Sequence, residues 1–328
     1  MAVGTSTWKN VVDTLIEGPV VTSFTSIGPA VRSRLDDWAP LDSYDLTGRR
    51  IVLTGGTSGL GLAAAERFTA LGATLFVVGR SRDKTQRVCA ELPGPGTATA
   101  VIADMGEIEQ VRAASNEILD AGGADTLIHN AGALSAERRT NSDGIEATVA
   151  SQVVGPHVMT KLLIPALSQA APGRVITMAS GGMYAAGLTV RNLQMSEDEY
   201  GGSDQYARAK RAQVTLNEMW PDHVDASKVV FHAMHPGWAD TPGVEASLPT
   251  FRKVMGPLLR SADQGADTLV WLVADDAATT SSGDFWLDRR RRSIHKLPTT
   301  KKTDTPERRA QLWEYVEQLA GTGSSGGR

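Results

Sequence analysis

The stretch "TGGTSGLG", residues 54–61, decides how this chain is read. It joins a short apolar run, "RRIVLTG" (49–55), to an alanine- and leucine-rich segment, "LGLAAAERFTALGA" (60–73). Glycines at a strand-to-helix turn let the backbone come close to a pyrophosphate. The exposed amides and positive end of the following helix then bind it. A plain glycine-rich turn is the alternative. The position of the loop, after a first strand and before a helix, favours a phosphate site built from Gly55, Thr57, Ser58, Gly59, Leu60 and Gly61.

The alternation continues outward from the loop. "ATLFVVGR" (73–80), "TATAVIAD" (97–104), "ADTLIHNAG" (124–132), "GRVITMAS" (173–180) and "KVVFHAMHPG" (228–237) read as strands with helical segments between them. Strands that are apolar throughout and alternate with helices imply a parallel sheet covered on both faces. The expected fold is α/β, a Rossmann-type doubly wound sheet over residues 48–300. An N-terminal leader (1–47) precedes it, and a C-terminal helix with a disordered Gly/Ser tail, "GTGSSGGR", occupies 301–328. In the leader, Trp8, Val11, Val12, Leu15 and Ile16 fall near helical spacing. They predict a helix packed on the domain, with a peripheral membrane or partner-binding arm as the alternative. Gly155 and Pro156 should bend the long helix that begins near "DGIEATVASQ", and Ser203 reads as the N-cap of the helix carrying "QYARAKRAQV".

Composition narrows the class. The 328 residues are 41% hydrophobic and 21% charged, as in a globular protein. A net charge of −4 gives no reason to expect nucleic acid, and "RRRR" (289–292) reads as a solvated run. The single cysteine, Cys89, rules out an intrachain disulfide; it reads as a packed helix residue in a reducing, cytoplasmic setting. No apolar run approaches the roughly 18–20 residues of a membrane span, and the N-terminus lacks the pattern of a secretory signal. The two histidines of "HAMH" (232–235) point to opposite faces of a strand, so no metal site is expected.

Two positions speak to chemistry. The second strand ends at Gly79–Arg80, with Arg82 close by, where an acidic residue would bind the ribose 2′-hydroxyl of NAD. An arginine there can fork onto a 2′-phosphate, so NADP(H) is expected. Asp104, ending the third strand, is placed to accept from the adenine amino group. Further on, "SDQYARAKRA" (203–212) sets Tyr206 and Lys210 four apart, on one helix face. Of the five tyrosines, only Tyr206 has a lysine at that spacing. A neighbouring ammonium should lower the phenol from about 10 toward a working acid/base range.

Taken in order, TGGTSGLG (54–61), "HNAG" (129–132), "MASGG" (178–182), "YARAK" (206–210) and "HPGWADTPG" (235–243) resemble the short-chain dehydrogenase/reductase family over about residues 48–300. The wording "MHPGWADTPGV" and "QGADT" (264–268), with the leader, is most similar to its dehydrogenase/reductase member 12 branch. The resemblance implies hydride transfer between nicotinamide and a carbonyl or alcohol carbon. Tyr206 would be the acid/base, and Lys210 would tune it and hold the nicotinamide ribose. Ser180 would orient the carbonyl oxygen. Asn130, Ala131, Gly132, Pro236, Gly237 and Thr241 would contact the cofactor. A small-molecule substrate and a homo-oligomer follow from the same resemblance.

Three departures stand out. His129 replaces the first asparagine of the family's NNAG turn, as a structural change and not a ligand. Gln152 stands where the family often has an asparagine supporting a water-linked proton relay to the lysine, so its catalytic part is in doubt. Twenty-six residues separate Ser180 from Tyr206, about twice the common gap. This insertion should cover the cleft, with Met183, Tyr184 and Leu188 either lining it or packing on the core. The reading is an oxidoreductase with an apolar substrate. A sugar-nucleotide epimerase, which the loop spacing opposes, and a dinucleotide-binding scaffold without turnover are the alternatives.

Overall fold

In the computed structural model, which describes residues 3–170, 172–247 and 249–321, eight strands form one sheet in the order β3-β2-β1-β4-β5-β6-β7-β8. The strands are β1 (Arg50–Thr54), β2 (Thr74–Gly79), β3 (Thr97–Ile102), β4 (Thr126–His129), β5 (Gly173–Met178), β6 (Val229–Met234), β7 (Asp284–Leu287) and β8 (Arg290–Arg292). All pairings are parallel except β7 with β8. β1, β4, β5 and β6 are almost wholly buried, which is why they carry unbroken apolar runs and not alternating ones.

Helices α1 (Val3–Glu17), α2 (Val20–Phe24) and α3 (Ile27–Leu35) precede the sheet. Then follow α4 (Gly59–Ala70), α5 (Arg82–Glu91), α6 (Ile108–Asp120), α7 (Ala147–Val149), α8 (Gly155–Leu167) and α9 (Gly202–Met219). The last five are α10 (Pro242–Ser247), α11 (Pro249–Met255), α12 (Ala262–Ala274), α13 (Pro298–Thr303) and α14 (Pro306–Leu319). One core face packs α4 and α12 on the sheet through Ala64, Phe68, Leu269 and Leu272. Half-buried Cys89 joins that face, where burial pushes its thiol up. The other face packs α6, α8, α9 and α14 through Ile118, Val158, Leu216 and Leu312.

The structure revises several expectations. The helix that Gly155 and Pro156 were to bend instead passes through a π-helical stretch, Ala150–Val154, directly before them. A Cβ at Gly155 would lie 2.1 Å from the Met105 carbonyl, so this residue serves a close approach to the loop after β3. Ser203 does not cap α9. Gly201 holds that position, without a side-chain cap bond, and Ser203 lies inside the first turn. Met183, Tyr184 and Leu188 belong to the core, because the insertion folds its apolar side inward. The predicted disorder of the tail falls, from Thr322 onward, outside the described residues.

The arginine run is the largest correction. Only Arg291 is solvated: residues 290–292 form β8, and a hairpin turn at Asp288 and Arg289, with φ of 54° and 53°, joins it to β7. Every guanidinium of the run is ion-paired. Arg289 meets Asp267 at 2.8 Å, Arg290 meets Asp36 at 2.6 Å, Arg291 meets Asp284 at 3.1 Å and Arg292 meets Asp13 at 2.6 Å. Beneath them lies a buried network. Arg32, fully buried on α3, binds Asp13, Glu17 and Asp288 at 2.8, 2.8 and 2.6 Å. Arg260 binds Asp288 at 2.5 Å. Burial works to raise the Asp13 carboxyl, but hydrogen bonds from Arg292 and Arg32 outweigh it and hold the group well below the usual range.

This network packs α1 on the domain by a charged side. Its inward side is charged, with Asp13 and Glu17, while Trp8, Val11 and Leu15 face outward at 51%, 55% and 70% exposure. No described helix is long and apolar enough to cross a membrane.

Removing one partner of a buried charge cluster leaves the others uncompensated, at about 3–5 kcal/mol. Asp288→Ala should therefore lower the unfolding free energy by about that much in a urea titration, because both Arg32 and Arg260 lose their shared carboxylate. Asp276→Ala is the control: its partner Arg174 also holds three carbonyls of residues 272–275, and Asp276 is itself 93% exposed, so it should change stability by less than about 1 kcal/mol.

Candidate active site

The glycine loop sits where the strand order reverses, between β1 and β4, which is where such sheets bind ligands. Its geometry leaves no room for side chains. A Cβ at Gly55, whose φ is +71°, would lie 2.8 Å from the Ala131 Cα. One at Gly61 would lie 2.3 Å from the Gly55 carbonyl and 2.5 Å from Asn130 Nδ2. Ser58 stands at the N-cap of α4 but makes no side-chain cap bond, so the first amides of α4 are left for a ligand. Across the opening, Thr241 approaches Gly59, whose Cβ position is 3.4 Å from the Thr241 Cβ.

Asn130 braces the loop through its side chain. Its Nδ2 donates to the Thr54 and Gly55 carbonyls, both at 3.0 Å. The Thr54 hydroxyl accepts from the amides of Asn130 and Ala131 at 3.0 Å. The "HNAG" turn thus braces the loop, and the asparagine side-chain amide is committed to that bracing. His129, buried and held by its Nε2 against the Thr160 hydroxyl at 2.8 Å, is structural as expected; burial pushes it down to about 3. Around the loop, Asp104 Oδ1 accepts from the Gly106 amide at 2.8 Å, while Arg80 is exposed and makes no hydrogen bond or ion pair among the described residues.

Ser180, Tyr206 and Lys210 come together where β5 ends. Ser180 is extended, at φ −151°, and its Oγ accepts from the Gly182 amide at 3.3 Å. Its side chain lies near enough to the Tyr206 hydroxyl to act on it. A Cβ at Gly182 would lie 3.7 Å from both Ser180 Oγ and the Tyr206 ring, so the three share one small space. Lys210, almost fully buried, donates to the Met178 carbonyl at 3.0 Å, and its Nζ sits 5.5 Å from the Tyr206 ring centroid. Burial pushes Lys210 down to about 7.

The expected lowering of Tyr206 by Lys210 is not found. Burial pushes the phenol up, and only the neighbouring Ser180 side chain opposes it. The ammonium lies over the ring and is turned toward a main-chain carbonyl, so it does not reach the hydroxyl.

Gln152 enters from the π-helical stretch, fully buried. Its Nε2 donates to the Ala133 carbonyl at 2.8 Å, while its Oε1 finds no protein partner. From the Cβ position of Gly132, Oε1 is 3.1 Å away and the Lys210 Nζ is 3.3 Å. An unpaired buried acceptor beside an ammonium with donors to spare is a polar site fit for a bridging water. Behind Gln152 a cavity of about 20 Å³, lined by His129, His157 and Gln213 among others, is large enough for one such molecule.

Sequence reasoning missed the wall contributed by the N-terminal helices. Phe24 of α2 is buried, its ring centroid 4.4 Å from that of His235 and 5.7 Å from that of Trp238. A Cβ at Gly181, next to Ser180, would lie 3.2 Å from the Phe24 ring and 3.0 Å from His235 Nε2. The Phe24 carbonyl accepts from the Trp238 amide at 2.7 Å, which ties the wall to the turn after β6. Gly237 in that turn, at φ +75°, lies against the Arg260 guanidinium. Nothing local in "VVTSFTS" marks Phe24; its role depends on a fold partner more than 200 residues away. The two histidines of "HAMH" are held separately, His232 between Ala278 and Trp286 and His235 by the Gly237 amide.

These features agree with relatives of known class. A sequence model described as short chain dehydrogenase matches residues 49–250. Human dehydrogenase/reductase SDR family member 12 is 36% identical over 88% of this chain and 92% of its own. Human retinol dehydrogenase 12 is 24% identical over 92% of this chain and 97% of its own. Among solved structures, one from Mycobacterium Paratuberculosis superposes with a TM-score of 0.68 at 23% identity, over 87% of this chain and 98% of that one. L-sorbose reductase from Gluconobacter frateurii, solved with NADPH and L-sorbose, gives 0.59 at 22% identity, over 74% of this chain and 95% of that one. The chain belongs to the short-chain dehydrogenase/reductase family of oxidoreductases, which act on CH–OH groups.

Proposed function

We propose that the protein is an NADP(H)-dependent enzyme that moves hydride between nicotinamide and a carbonyl or alcohol of an apolar small molecule, with Tyr206 as its acid/base. The observation that carries this reading is the meeting of Ser180, Tyr206 and Lys210 at the end of β5, beside a glycine loop that any Cβ would fill. The cradle fits the dinucleotide. Gly55, Gly59 and Gly61 with the open end of α4 would take the pyrophosphate, Lys210 the nicotinamide ribose, and Pro236, Gly237 and Thr241 the amide side. Exposed Arg80, with no protein partner among the described residues, supports a contact to a 2′-phosphate. The relative solved with NADPH is consistent with that choice.

Bound there, the nicotinamide supplies the hydride. The side chains do the rest. Ser180 Oγ and Tyr206 Oη hold the carbonyl oxygen, and the raised phenol keeps its proton at neutral pH, ready to give it to that oxygen. Lys210 then carries the charge that steadies the tyrosinate, and a water between its Nζ and Gln152 Oε1 returns the proton. Trp238, edge-on to Phe251 at 5.1 Å, supplies an aromatic flank that favours an apolar substrate. With Cys89 its only thiol, the enzyme suits the cytoplasm.

NADPH should raise the melting temperature more than NADH does, and Arg80→Gln should weaken NADPH binding about tenfold while leaving NADH unchanged. Tyr206→Phe should lower carbonyl reduction, followed as NADPH oxidation on a panel of aldehydes, ketones and quinones, by at least about 100-fold with NADPH binding intact. Unchanged turnover in that variant would remove Tyr206 from the mechanism.

The lysine sets a pH dependence. Below about 7 Lys210 is an ammonium and above it an amine, so kcat/KM for reduction should fall as pH rises through that range. Gln152→Leu removes the acceptor beside the ammonium. It should move this fall to lower pH, whereas Gln152→Glu should move it higher; a Gln152 with only a packing role would shift neither profile.

A further inference from the structure

The insertion between Ser180 and Tyr206 builds a second pocket that the chemistry above does not use. It has a volume of about 700 Å³, within the range of small-molecule sites. The segment 185–192 forms one side, α9 forms another through Asp204, Ala207 and Arg208, and Thr303, Arg308 and Gln311 from α13 and α14 close it. Neither Ser180 nor Tyr206 lines it. On α9, Asp204 and Arg208 lie two residues either side of Tyr206, which at 100° per residue puts them on the far side of the helix from the phenol.

Three arginines border this pocket: Arg191, Arg208 and Arg308. Arg208 donates through Nη1 to the Asn192 carbonyl at 2.7 Å. Arg308 donates through Nη1 to the carbonyls of Leu188 and Thr303, at 3.4 and 3.1 Å. Each fork is therefore held by one nitrogen, and the others remain available for a ligand. None of the three has a carboxylate within ion-pair distance among the described residues. Asp304 and Glu218, which do not line the pocket, are engaged by Arg309 at 2.6 Å. One turn beyond Arg208, fully buried Arg211 holds the Ala186 and Met183 carbonyls at the root of the same segment, and its Nη1 has no protein partner.

The guanidiniums around Asp288 are closed by carboxylates. Here three guanidiniums face one carboxylate, Asp204, across an open pocket with Ala185, Val190 and Ala207 as apolar lining. We propose that this pocket is a second ligand site for a small phosphate monoester, whose dianionic group is taken by Arg191, Arg208 and Arg308 and whose organic body rests on the apolar lining. Forked, charge-assisted donors in a preset arrangement suit that group. The site does not depend on the reaction assigned above. Because the insertion that carries this segment starts at Gly181, next to Ser180, occupancy would also steady the approach to the reaction centre.

The test is calorimetric titration of the full chain with phenyl phosphate and with inorganic phosphate at constant ionic strength. Saturable binding is expected, tighter for the ester. Arg191 is exposed and makes no hydrogen bond or ion pair among the described residues, so Arg191→Gln should weaken binding about five- to tenfold with an unchanged melting temperature. Asp204→Asn should tighten it about threefold by removing the one opposing charge. Arg80→Gln, which reports on the cofactor's own phosphate contact, should leave the affinity as it was. Absence of saturable binding overturns the proposal. So does an affinity that ignores both Arg191→Gln and Asp204→Asn, or one lost in Arg80→Gln. Carbonyl reduction is followed in parallel, so loss of either function is read apart from the other.

Discussion

The clearance between the first loop and the "HNAG" turn is the constraint on which the rest of the site depends. Gly55, Gly61 and Ala131 meet at distances no larger residue tolerates, and Asn130 and Thr54 stitch the two segments together across the strand-order reversal. This opens the sheet edge by a fixed amount. It also sets the height of β4 and β5 relative to the loop, and hence where Ser180 emerges. A methyl group at Gly61 would push the loop off the turn and move the N-terminus of α4 away from the crevice. The glycines therefore matter less for flexibility than for an empty space held open by hydrogen bonds.

A second constraint acts from the opposite end of the sheet. Asp288 is held in the left-handed region by Arg32 and Arg260, and a non-glycine residue persists there only when its surroundings fix it. Through those two arginines one carboxylate fastens α3, the β7–β8 hairpin and the segment after β6. The N-terminal helices are thus part of the cleft. Their inward face carries Asp13, Glu17 and Arg32 because it meets a cluster of guanidiniums, and among its buried apolar residues Phe24 reaches the back of Gly181. Trp8, Val11 and Leu15 are turned outward as a consequence of that polarity, against the usual sense of an amphipathic helix.

The parts of this molecule that were legible in the sequence are those with short-range causes. β1 to β6 announce themselves as apolar runs closed by glycine, serine or aspartate. The loop, the Tyr206–Lys210 spacing and Ser180 at a strand end all lie within a few residues of their structural reason. The parts that were not legible have distant causes. β7 and β8 are four and three residues long, and their turn is Asp-Arg, lacking the glycine that usually marks such a hairpin. "RRRR" looks solvated because its partners Asp13 and Asp36 are some 250 residues away. The effect of Lys210 on Tyr206 was misjudged for a related reason. Spacing gives the shared face of a helix, but not which acceptor the ammonium finds there.

That acceptor shapes the electrostatics of the whole centre. Lys210 lies in a buried setting that disfavours its charge, and the neutral Met178 carbonyl offsets only part of that cost. No carboxylate approaches it among the described residues. The lysine is therefore poised near neutrality and responds to small changes in the acceptors around it. Gln152 is the adjustable one. The π-helical stretch adds a residue to the turn and rotates this side chain inward, and its extra methylene brings Oε1 to the edge of Gly132, level with Nζ. A shorter amide would stop short of that point and leave the main chain as the acceptor. The exchange of asparagine for glutamine and the local widening of the helix are thus two halves of one arrangement. It places a neutral acceptor beside a desolvated ammonium without adding the negative charge that would lock the lysine in its protonated form.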